Sequence, residues 1–320
     1  MSARGAVATV TGAVRASGLL AGERPLVVML SGGRDSVCLL DVAVALRGNR
    51  AVRALHVNYG LRAAADADER HCRELCDLLG VAIHVRIASR DGVAGEGNLQ
   101  AWAREVRYAA AHALAGEDRA LIATGHTASD QAETILYRLA ASPGRRALLG
   151  MPANERGIVR PLLGVTRAQT AEYCDARGLA WREDASNEDP SYARARVRSG
   201  VVPALRLVHA AAEANVLRTA ALLREEAEVL DAFVDAQLQG CAVIALARLR
   251  ELPGALARLV VVRLAEDAAG TYVPQAGARV AEILELGERP GRAELHLGGL
   301  VSAVVQGGML EIVRLPPRSA

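Results

Sequence analysis

The stretch Leu26-Val27-Val28-Met29-Leu30-Ser31-Gly32-Gly33-Arg34-Asp35-Ser36 decides the fold. Its apolar run predicts a buried strand, and the two glycines that follow allow a tight turn of the backbone. Behind them residues 37–46 are apolar on all sides except Asp41, which predicts a helix buried against a sheet. A strand, a glycine turn and a helix start in that order make an anion site. The backbone can approach an anion closely at Gly32 and Gly33, while the helix's first N–H groups and its dipole favour phosphate. Ser36 is placed to cap that helix. A Gly-Gly turn alone also serves as a plain strand-to-helix connection, but the full string from Ser31 to Ser36 in this context points to phosphate.

Working outward, short apolar runs alternate with longer amphipathic segments, which predicts an α/β fold built on a parallel sheet. Candidate strands cover residues 26–30, 52–57, 82–87, 120–124 and 179–182. In segment 64–79, Cys72, Leu75, Cys76 and Leu79 share one helical face and Gly80 supplies the stop, so both cysteines read as core. After about Arg206 the chain becomes alanine- and leucine-rich and helical as far as Leu286, with breaks at Pro253 and Pro274. Between 293 and 314, alternating runs separated by Gly298-Gly299 and Gly307-Gly308 predict a small antiparallel meander. Two domains are expected, 1–206 and a smaller, mainly helical 207–320.

With 320 residues, 51% hydrophobic and 23% charged, the chain can bury a sizeable core and is too apolar for a disordered protein. No run approaches the roughly 18 apolar residues of a membrane span, and a signal-peptide core is missing, so a cytoplasmic location is expected. Five scattered cysteines, an odd number, argue against a disulfide framework. Net charge is only +2, so affinity for nucleic acid must come from a local patch. All 38 basic residues are arginine, which excludes an enzyme lysine as nucleophile, Schiff base or Walker A residue.

The string Ser31-Gly32-Gly33-Arg34-Asp35-Ser36 resembles the PP-loop of ATP pyrophosphatases, which split ATP between its α and β phosphates. Further segments are similar, in order and spacing, to the tRNA(Ile)-lysidine synthases: His56-Val57-Asn58-Tyr59-Gly60-Leu61-Arg62, Ala103-Arg104 with Arg107-Tyr108, and Thr124-Gly125-His126 through Asp130-Gln131-Ala132-Glu133-Thr134. Arg160-Pro161-Leu162-Leu163 and Glu183-Asp184-Ala185-Ser186-Asn187 belong to the same set. Tyr59 stands where a histidine is usual, Ser129 where a second aspartate is frequent, and Ala195 interrupts an expected Arg-Asn-Arg. The resemblance implies an adenine nucleotide alpha hydrolase-like domain followed by a tRNA-binding domain. It also implies a ligase that uses ATP and Mg²⁺ to adenylate the wobble cytidine of a CAU-anticodon tRNA(Ile). Free L-lysine then displaces AMP, and pyrophosphate is the other product. A homodimer stays open.

The residues fit that chemistry as follows. Ser31, Gly32, Gly33, Arg34, Asp35 and Ser36 would hold the nucleotide phosphates, with Asp35 either a Mg²⁺ ligand or a helix cap. A lysine amine is almost wholly protonated at neutral pH, so something must bind it and take its proton. Asp130 and Glu133, three apart on one helix, can face that amine or simply complement the helix dipole. His126 orients the nucleotide or caps a loop, and Arg104 corresponds to a substrate-site arginine of the resembled family. Arg194, Arg196, Arg198 and Arg206, in a stretch without acids, and Arg145 with Arg146, read as phosphate contacts on tRNA or as a solvated face. A PP-loop tRNA thiolase would want reactive cysteines, which the core placement of Cys38, Cys72 and Cys76 does not offer. A non-catalytic ATP-binding module would have no use for the acidic pair and the arginines.

Overall fold

The computed structural model describes residues 2–60, 65–88, 99–116, 119–141, 144–183, 191–273, 275–298 and 300–316, with the side chains of Gln100 and Arg146 outside that set. Leu61, Arg62, Asp184, Ala185, Ser186, Asn187, Pro274 and Gly299, all named above, lie outside the described residues. The chain divides into two compact units, Met1–Ala221 and Leu222–Ala320.

The first unit opens with helix α1 (Ala3–Ala16) and strand β1 (Leu26–Met29), followed by α2 (Arg34–Arg47), β2 (Val52–Asn58), α3 (Ala65–Leu79), β3 (Ala82–Ile87), α4 (Leu99–Gly116), β4 (Leu121–Ala123) and α5 (Ala128–Ala141). Then come α6 (Arg145–Leu148), a hairpin of β5 (Asn154–Glu155) and β6 (Ile158–Val159), α7 (Arg167–Arg177), α8 (Ala193–Arg196) and α9 (Val202–Val208). The sheet order is β3-β2-β1-β4-β6-β5, parallel except for β5 at the edge. β1 is central because each face of it is apolar. Leu26, Val28 and Leu30 pack with Val37, Leu40, Cys72, Cys76 and Tyr173, while Val27 and Met29 pack with Ala111, Leu114 and Ala115.

Asp41 interrupts the apolar face of α2 for a reason visible only in three dimensions. Tyr173 Oη donates to its Oδ2 at 2.7 Å, and Arg177 binds the same carboxylate at 2.9 and 3.1 Å. Two elements differ from expectation. Residues 179–182 form no strand but an extended connection in which Arg182 N donates to Gly32 O at 3.0 Å. The short β5–β6 hairpin, by contrast, is too brief to show a period-two pattern.

In the second unit, the helix α10 (Ala212–Leu238), within which the division falls, is followed by β7 (Val243–Ala245), α11 (Leu246–Glu251), α12 (Gly254–Ala269) and α13 (Val280–Leu286). The strands β8 (Ala293–Gly298), β9 (Val301–Gln306) and β10 (Met309–Arg314) form the expected antiparallel meander, with β7 added on β10. Their inward residues Leu297, Val301, Ala303 and Leu310 pack with Val260, Val261, Leu264 and Ile283. No helix among the described residues is long and apolar enough to cross a membrane.

Candidate active site

β2 and β4 flank β1 on opposite sides, so the chain leaves the carboxyl end of β1 in one direction and returns beside it from the other. Parallel sheets bind ligands in the crevice at such a switch point. Here the crevice is a cleft of about 580 Å³ lined by Ser31, Gly33, Arg34, Asp35 and Ser36 on one side and Thr124, Gly125 and His126 on the other.

Gly32 has φ +83°, a conformation open to glycine, and Gly33 occupies the N-cap of α2 with no side chain capping the helix. The helix start is thus left to an anion. Ser36 is not the cap. It sits buried in the first turn, where its Oγ accepts from Ser31 N at 3.2 Å and donates to Gly33 O at 2.8 Å, folding the loop onto itself. Gly125 holds the opposite wall close: a Cβ there would lie 3.1 Å from Asp35 C, Asp35 O and Ser36 N. Gly125→Ala should therefore push the two loops apart and cost about 1–3 kcal/mol. Urea unfolding and ATP affinity, measured together, check this.

His126 Nδ1 lies 2.8 Å from Thr124 Oγ1. Burial lowers its pKa from 6.5 to about 4, aided by Arg160, Arg104 and Arg194 and opposed by Asp130. The imidazole is therefore neutral at pH 7 and acts through hydrogen bonds. Since the folded state binds this proton less tightly than the unfolded chain, the stability present above pH 6.5 is lost as pH falls toward about 4. His126→Gln should flatten that part of a plot of thermal midpoint against pH.

Next to the loop lies an ionic cluster centred on Arg167, the first residue of α7. Its Nη2 contacts Asp130 Oδ1 at 2.6 Å, its Nη1 contacts Glu133 Oε1 at 3.0 Å, and its Nε is 3.7 Å from Asp35 Oδ2. Asp130 also accepts from Thr127 N and Oγ1 at 2.9 and 2.7 Å, and Asp35 from Thr170 Oγ1 at 2.5 Å. Burial pushes Asp35 above the usual carboxylate range, with the charge of Asp130 adding to it. Asp130 is held below that range: Arg167 and the Thr127 bonds outweigh its own large desolvation. The expected pair divides here. Asp130 lines the cleft, but Glu133, only 3% exposed, does not; Arg198 donates to its Oε1 and Oε2 at 2.8 and 2.9 Å, sharing Oε1 with Arg167.

The arginines divide as well. Arg104, 4.6 Å above the Tyr108 ring, lines the cleft with Arg194 and Arg198. Arg196 donates to Ser191 O, Arg206 pairs with Glu213, and neither lines the cleft. Arg145 is half-buried on α6 with Nη1 lacking a hydrogen-bond partner, and the side chain of Arg146 is outside the described set. Arg167, Thr170, Trp181 and Arg182 carry no sequence signal of their own. The capping box of Thr166 and Gln169 is nonetheless readable as T-x-x-Q and would have put Arg167 at a helix start. Among the described residues no group of three or more His, Cys, Asp or Glu is placed to hold a metal. Asp35 and Asp130 share the cleft with a third carboxylate, the exposed Glu183.

A glycine loop at the switch point of a parallel sheet, facing acids and arginines, defines a nucleotide-binding α/β domain. The chain belongs to the PP-loop domain family, whose model matches residues 9–205, and that membership implies ATP binding. It is similar to the tRNA(Ile)-lysidine synthase of Pseudomonas aeruginosa, 39% identical over 67% of this chain and 49% of that protein. It is also similar to the tRNA(Ile)-lysidine synthase of Thermus thermophilus, 39% identical over 93% of this chain and 58% of that protein. The chain spans about half the length of the curated relatives it matches. Among solved structures, a U34-tRNA thiolase of Methanococcus maripaludis with its [4Fe-4S] cluster shares the fold, with a TM-score of 0.56 at 16% identity, over 69% of this chain and 80% of that one.

Proposed function

We propose that the chain is an ATP-dependent ligase that joins free L-lysine to C2 of the wobble cytidine of a CAU-anticodon tRNA(Ile), through an adenylated cytidine. The observation that carries this is the uncapped glycine loop at the switch point, faced across one cleft by Asp130. Similarity to proteins named tRNA(Ile)-lysidine synthase supports the substrates. The loop residues 31–36 orient the α-phosphate for attack by the cytidine carbonyl oxygen and steady the charge that leaves with pyrophosphate. Asp130 receives the ammonium of lysine and relieves it of a proton as the amine attacks C2 and AMP departs. Glu133 works at one remove, by holding Arg198 in place. Asp35, whose half-buried carboxylate is crowded by Asp130, fits Mg²⁺, an ion commonly held by one or two carboxylates plus substrate phosphates. That ion would supply charge neutralisation at the phosphates.

A sulfur-transfer reaction finds no support in the cysteines. Cys72 and Cys76 are pushed by burial up to about 12, and no cysteine among the described residues lines the cleft. Release of AMP should require tRNA together with ATP; release without tRNA, at the same rate, would point to a nucleotidase instead. Arg194 and Arg196 lie exposed on α8 in the proposed tRNA patch. Changing both to alanine should lower the slope of log affinity against log salt by about 1.5, since each lost phosphate contact removes about 0.7–0.9. An unaltered slope would leave them as solvated surface.

A further inference from the structure

Arg167 is the cation that the acidic cluster shares, and its place there is one that a cationic substrate would need. Asp130 Oδ1 is taken by Arg167 Nη2 at 2.6 Å. We propose that Arg167 is a phosphate-binding side chain stored on the carboxylates of the cleft. The triphosphate draws it off Asp130, and only then does a cationic co-substrate bind there. This rests on the ATP- and lysine-dependent reaction proposed above.

Three features support an exchange of partners. First, every carboxylate keeps a donor when Arg167 leaves: Glu133 keeps Arg198, Asp130 keeps Thr127, and Asp35 keeps Thr170. No buried acid is stranded, so departure avoids the cost of an unpaired buried charge. Second, the guanidinium already borders the phosphate loop. Its Nε is 3.7 Å from Asp35 Oδ2, and its side chain lines the same cleft as Ser31, Gly33 and Ser36. Third, the backbone is anchored while the side chain is long. Arg167 N donates to Ser129 Oγ at 3.3 Å, and Thr166 caps α7 behind it, so a rotation about side-chain bonds suffices. Guanidinium forms bidentate pairs with carboxylate and phosphate alike, which makes the two docking positions chemically comparable.

The test uses the full chain and α,β-methylene-ATP, which cannot be cleaved between its α and β phosphates. By calorimetry, Arg167→Met should weaken the analogue by about tenfold or more, the weight of a charge-assisted hydrogen bond, and Arg167→Lys should recover part of the loss. Labelled L-lysine should bind wild type about tenfold more tightly with the analogue than without it, and Arg167→Met should bring that ratio near one. Unchanged analogue affinity in Arg167→Met, or a coupling ratio that persists in it, would overturn the proposal. Should wild type bind no lysine under either condition, the choice of lysine as co-substrate fails, while the analogue affinities still decide whether Arg167 reaches phosphate. Arg167→Lys, which keeps a cation in the cluster, guards against a variant that merely misfolds.

Discussion

Asp35→Ala is expected to lower AMP formation by about 100-fold or more while leaving tRNA affinity within about twofold, as loss of a preorganised electrostatic group does. The side chain stands in the first turn of α2, where the phosphates would lie, whereas the proposed tRNA contact is carried by Arg194 and Arg196 on α8. Its stability effect should have the opposite sign. Burial raises the folded pKa of Asp35, so the folded state holds this proton more tightly than the unfolded chain. The charged carboxylate therefore costs stability once pH exceeds its unfolded value. At pH 7 the alanine variant should melt no lower than wild type. An enzyme that loses activity while keeping or gaining stability is what a functional carboxylate predicts. Equal losses of AMP formation, tRNA binding and thermal midpoint would instead make Asp35 a structural residue.

The second large effect separates Asp130 from Glu133. Glu133→Gln strips the charge from a carboxylate that is 3% exposed and bound by both Arg167 and Arg198. Breaking a buried ion pair from one side costs about 3–5 kcal/mol, so this variant should show a large drop in urea midpoint. Asp130→Asn leaves a side chain that can still accept from Thr127 but no longer carries charge toward the cleft. It should lose less stability than Glu133→Gln and raise the lysine KM by about tenfold or more, as loss of a charge-assisted contact does. Adenylated tRNA should still be detectable in single turnovers without lysine. Were both variants equally stable and equally impaired in lysine use, the two acids would face the substrate together after all.

The phosphate loop, its buried helix and the parallel strands were legible because each is local. A strand, a glycine pair and an apolar helix announce themselves within residues 26–46. The meander at 293–314 was legible for the same reason, its turns marked by glycine pairs. What stayed hidden depends on contacts far apart in sequence. Spacing puts Asp130 and Glu133 on one helix, but only the packing of α7 and of Arg198 against α5 decides that one meets the cleft and the other is buried. Asp41 looked like a flaw in an apolar helix until Tyr173 and Arg177 came to meet it. Arg167, one of many arginines in a chain with no lysine, had nothing to distinguish it until three carboxylates converged on it.

The most direct measurement is to incubate the purified chain with ATP, Mg²⁺, tRNA and labelled L-lysine, digest the tRNA to nucleosides, and follow the label. Label on a modified cytidine, dependent on ATP and lost in Asp130→Asn at low lysine, is the result expected. AMP and pyrophosphate released in the presence of tRNA, with no lysine attached to any nucleoside, would contradict the account.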